Sequence, residues 1–105
     1  MIVRDSAQYY DLTITTASGT GTANLEPYGM IESIAVIAPA GNPQFNIDIT
    51  DKDGYGVWAA TGIMCVSGKA TIEVGKRTHL KSTFQISGAT VNGAYRLRIW
   101  VKNSL

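Results

Sequence analysis

The chain has 105 residues, 45% of them hydrophobic and 16% charged, with nine Lys and Arg against eight Asp and Glu for a net charge of +1. That composition is globular and fits one domain over residues 1–105. The near-neutral balance argues against a phosphate-binding, nucleic-acid role, and a charged fraction below the usual ~25% suggests a surface partly covered by a partner.

Two single-residue counts narrow the chemistry. The one cysteine, Cys65, allows no intramolecular disulfide, and the one histidine, His79, allows no His-rich metal site. No cofactor is implied. Residues 1–10 carry Arg4 and Asp5 and show no signal-peptide pattern. The longest mainly apolar stretch, 30–40, is too short to cross a bilayer, so no membrane association is expected.

Helical periodicity is almost absent, whereas Thr, Ile and Val are abundant and eleven glycines punctuate the chain. This predicts short strands joined by turns. In 1–8, Ile2 and Val3 suit either an extended apolar N-terminal arm that holds a neighbour by strand addition or a simple edge strand. Residues 9–16 predict a first strand with Leu12 and Ile14 on one face, and 17–21 a turn or loop. Residues 30–38 predict a nearly continuous apolar strand, buried on both faces or with one face under a partner, ended by Pro39 and Pro43.

Phe45, Ile47 and Ile49 alternate with Asn46, Asp48 and Thr50, and Asp53-Gly54 then turns the chain into a partner strand over 55–60. There Trp58 is expected on the core side. Residues 63–66 and 70–74 predict two shorter strands, and 75–81 an exposed basic loop. A further strand covers 83–87. Asn92-Gly93 predicts a two-residue type I′ turn leading into the most regular strand, 95–102.

These elements predict an all-β fold: a single antiparallel β-sandwich, jelly-roll or immunoglobulin-like, of about seven or eight short strands. Its core collects Leu12, Ile14, Ile34, Val36, Phe45, Ile47, Ile49, Val57, Ile72, Val74, Phe84, Ile86, Leu97, Ile99 and Val101.

Few residues point to chemistry. A Cys65–His79 catalytic pair rests on residue types alone, and Cys65 lies in an apolar run that favours an inert buried thiol. Asp51-Lys52-Asp53-Gly54 resembles half a calcium loop, but Gly62 stands where the bidentate Glu belongs, so a turn is expected. The chain reads as a non-enzyme. The outward face of the last strand carries Arg96, Arg98, Trp100 and Lys102. It is a solvated face paired across strands with Asp48 or Glu73, or a binding stripe of hot-spot residues; Trp100 between cations could also stack on a nucleobase, which the near-neutral charge disfavours. Tyr9 and Tyr10 add amphipathic rings that suit a contact surface.

YDLTITTASGTGTA (10–23), YGMIESIAVIAPAG (28–41), FNIDITDKDGYGVW (45–58) and a closing β-hairpin arm, NGAYRLRIWVKN (92–103), follow one another in an order that resembles small virion proteins of tailed bacteriophages. The resemblance implies a non-enzymatic sandwich that decorates or cements the outer capsid surface, made in the bacterial host cytoplasm. Its implied partners are the major capsid protein or neighbouring virion proteins, and a homo-oligomer, a trimer first, would add avidity. A tail, adaptor or carbohydrate-binding attachment module is the alternative.

Overall fold

A computed structural model describes residues 6–27, 29–78 and 81–103. Ile2, Val3, Tyr28 and His79 lie outside the described residues, as does the expected arm up to residue 5. Eight strands follow in order: β1 (Ser6–Thr16), β2 (Gly21–Leu25), β3 (Gly29–Ile37), β4 (Gln44–Asp51), β5 (Gly56–Met64), β6 (Lys69–Thr78), β7 (Ser82–Ser87) and β8 (Gly93–Asn103). They form two four-stranded antiparallel sheets, β1-β8-β3-β6 and β2-β7-β4-β5.

The pairs β1–β8, β2–β7, β3–β6 and β4–β5 are those of one long hairpin folded on itself. Rolling that hairpin adds the contacts β3–β8 and β4–β7. This is the jelly roll, not the immunoglobulin arrangement.

Period-two patterning drives the packing. In the first sheet, Leu12, Leu97, Val36 and Ala70 stand opposite one another on the inner face, followed by Tyr10, Ile99, Ile34 and Ile72. The second sheet contributes Phe45, Ile47, Ile49, Phe84 and Ile86, all buried. Trp58 lies opposite inward-facing Ile49 and packs against the core from the edge strand. Ile31 and Tyr95 join the expected core, fully buried, whereas Leu12, Val57 and Val74 pack only at its margin. The Tyr95 ring meets Phe45 edge-on at 5.4 Å, and its hydroxyl donates to the Val91 carbonyl at 2.6 Å.

Several boundaries differ from expectation. Residues 6–8 belong to β1, an edge strand that pairs with β8, which is the edge-strand alternative for that part of the segment. β2 was not expected, because Gly21, Thr22, Ala23 and Asn24 carry little apolar signal. β5 continues through 63–64, with a register shift in its pairing between Phe45 and Ile47. β6 continues through Thr78, and its exposed Lys76 and Arg77 charge a sheet edge rather than mark a loop.

Turn chemistry differs too. Asn92-Gly93 does not close a hairpin: β7 and β8 lie in different sheets, and β8 is a central strand rather than part of a closing arm. The Asn92 Oδ1 instead accepts the Gly19 N–H at 2.8 Å. Positive φ at both central turn positions occurs at Ser18-Gly19 (54° and 81°) and Ser67-Gly68 (55° and 76°), the type I′ combination. After Asp51 the loop has four residues, 52–55, closed by hydrogen bonds from Gly54 N–H to Asp51 O (3.0 Å) and from Asp51 N–H to Tyr55 O (2.9 Å).

Candidate binding face

The outer side of the β1-β8-β3-β6 sheet is a grid fixed by strand register, because directly opposed residues share a face. One row is Tyr9, Trp100, Ser33 and Glu73. The next is Asp11, Arg98, Ala35 and Thr71, and the third is Thr13, Arg96, Ile37 and Lys69. The middle row is small at Ala35 and Thr71, so the sheet sinks there beside Ile37. The resulting concavity has a volume of about 260 Å³ and is lined among others by Asp11, Thr13, Ala35, Ile37, Thr71 and Arg96.

Above it, the Tyr9 and Trp100 rings lie 5.0 Å apart at 60°, and the Arg98 guanidinium carbon sits 4.3 Å from the Tyr9 ring centroid. This joins an aromatic pair to a cation–π contact. The Arg98 Nε also meets the Asp11 Oδ1 at 3.4 Å. Arg98 therefore pairs with Asp11, its direct cross-strand neighbour, rather than with Asp48 or Glu73. Asp48 lies in the other sheet, and Glu73 is on β6, separated from β8 by β3.

Arg96, Arg98, Trp100 and Tyr9 thus come together on one face. Lys102 continues the β8 side of it and is half-buried. Tyr10 points the other way, packs against the core and accepts a hydrogen bond from Gln8 Nε2 at 3.0 Å. Sequence reasoning missed Asp11, Ala35, Ile37, Lys69 and Thr71. Ile37 carried a signal, since it ends the apolar run of β3 beyond the inward set Ile34 and Val36; it is 45% exposed.

The outer face of the second sheet is different in kind. On β2, β4 and β7, Thr22, Asn24, Asn46, Asp48, Thr83 and Gln85 alternate with the buried residues and present small polar groups, while at the edge β5 exposes Met64 opposite Gln44.

Among the described residues, reactive groups do not converge. Cys65 is 3% exposed, and burial pushes its thiol above the ordinary value of 9.0, which suppresses formation of the thiolate. The Asp51 Oδ1 accepts the N–H groups of Asp53 and Tyr55, both at 2.9 Å, and so is engaged in its own turn. Among the described residues no three His, Cys, Asp or Glu side chains gather as a metal site.

No known protein-family model matches the chain, and no curated protein sequence matches it significantly.

Proposed function

We propose that this chain is a non-enzymatic structural protein of a phage virion that binds the outer capsid surface and stabilises the shell. One observation carries the reading: the Tyr9–Arg98–Trp100 cluster with Arg96 and Ile37, an interface-type residue set, is gathered on one sheet face. Buried aromatic and Arg anchors supply most of the energy at protein interfaces. Support by analogy comes from the jelly roll, a fold recurrent in viral capsid and lectin domains. Its partners in this reading are the major capsid protein or neighbouring virion proteins, and a trimer or other closed ring would multiply weak contacts over the shell.

Cryo-EM of particles made by the encoding phage tests it. A jelly-roll density on the outer shell, with the β1-β8-β3-β6 sheet at the contact, is expected. Particles lacking the protein would overturn the proposal.

A second reading, an attachment module that binds carbohydrate, is favoured by the exposed Tyr9 and Trp100 rings beside a concavity of about 260 Å³. That volume lies below the ~300–1,000 Å³ of typical small-molecule sites and is closer to a single sugar ring. Glycan-array binding that disappears in Trp100→Ala would favour this reading.

A further inference from the structure

The third row of the grid carries two cations around one apolar side chain: Arg96 on β8, Ile37 on β3 and Lys69 on β6. All three are exposed. Among the described residues neither Arg96 nor Lys69 has a carboxylate within ion-pair distance, whereas Arg98 in the next row is already held by Asp11. Positive charge is therefore uncompensated on both sides of the exposed Ile37 at the wall of the concavity.

The size of the face limits the occupant. Strands spaced ~4.8 Å apart and same-face residues ~6.8 Å apart give the grid about 300–400 Å² with side chains included. A standard interface covers about 800 Å² per partner. The grid is thus too small to be the whole of a globular contact, and it matches an extended stretch of about five residues crossing the four strands at ~3.3 Å per residue.

We infer that this concavity takes an extended acidic segment of a neighbouring virion protein, its carboxylates on Arg96 and Lys69 and an apolar side chain against Ile37 and Ala35. The inference rests on the function proposed above and names the chemistry of the partner. Charge complementarity fixes the register of the segment and speeds encounter, and the apolar contact holds it in place.

Two experiments separate the inference from the reading beneath it. The first titrates labelled protein by NMR with a capped pentapeptide of four glutamates around a central valine. Shifts confined to Arg96, Ile37, Lys69 and Ala35 are expected, with affinity at least tenfold weaker in the Arg96→Ala/Lys69→Ala protein and falling with added salt. No shift, an equal response to the matching lysine peptide, or an equal response to free glucuronic acid would overturn the inference, the last in favour of a sugar site. The second measures capsid decoration by Arg96→Glu/Lys69→Glu, with its urea midpoint checked against wild type. Loss of decoration by the folded variant is expected. Normal decoration by that variant overturns the acidic-segment assignment while leaving the virion role standing. Failure of wild-type protein to bind particles, with the peptide still bound, overturns the virion role instead.

Discussion

Tyr9 and Trp100 stand directly opposite one another on β1 and β8, their rings 5.0 Å apart. A tilted aromatic pair of this kind contributes about 0.5–1.5 kcal/mol beyond the area it buries. A urea double-mutant cycle of Tyr9→Ala and Trp100→Ala should give a coupling in that range. Additive effects would mean that the rings do not meet in solution.

Ser82 offers the opposite kind of test. It is 1% exposed, and its Oγ has no hydrogen-bond partner among the described residues. An unpaired buried hydroxyl costs about 1–3 kcal/mol of desolvation. Ser82→Ala should therefore raise stability by about 1 kcal/mol, seen as a thermal midpoint several degrees higher. A lower midpoint would show that the hydroxyl is satisfied.

The two type I′ turns make a third prediction. Ser67 holds φ at 55°, a conformation that costs most L-residues energy and that Asn tolerates better. Ser67→Asn places the preferred Asn-Gly pair in the turn and should stabilise by about 0.5 kcal/mol. The urea midpoint reports it, and no increase would mean that the turn takes another form.

Stability should also fall in alkali. Burial raises the Cys65 thiol above 9.0, and burial, then the nearby Cys65, raises the Tyr95 phenol above 10.0. Above those ordinary values the unfolded chain releases protons that the folded chain still holds, so unfolding becomes easier as pH rises. The contribution is complete below about pH 9 and declines as pH climbs toward the raised folded values. Urea midpoints from pH 8 to 11 should show the decline, beginning later in Cys65→Ala. A flat profile in wild type would show that both groups reach water.

The strands most legible in the sequence are those with strong alternation at full amplitude. Phe45, Ile47 and Ile49 on β4, and Tyr95, Leu97, Ile99 and Val101 on β8, all turn inward as their spacing requires. β2 was illegible because only Leu25 is large and apolar, and Gly21 heads the strand since a Cβ there would lie 2.3 Å from the Thr15 carbonyl oxygen. That constraint comes from β1 passing close by, not from local pattern. The β8 stripe was legible for the same reason as its core face. Ala35, Ile37, Lys69 and Thr71 were not, because they join it only once β3 lies beside β8 and β6 beside β3. Register between distant strands is a tertiary property. Asn92-Gly93 misled because the strongest local turn signal sits where the chain crosses between sheets, and Asn92 serves there as an acceptor for Gly19.

The nested pairing has a consequence for synthesis on the ribosome. β1 finds its hydrogen-bonding partner only in β8, with Ser6 opposite Asn103. Tyr10, Leu12 and Ile14 therefore emerge before the other seven described strands and wait unpaired until β8 has left the exit tunnel. Non-local pairing of this kind is slow and leaves transient strand edges open. β4–β5, joined by the four residues 52–55, is the first pair whose two strands are both made, whereas the face that carries Tyr9 and Trp100 is complete only when β8 is in place.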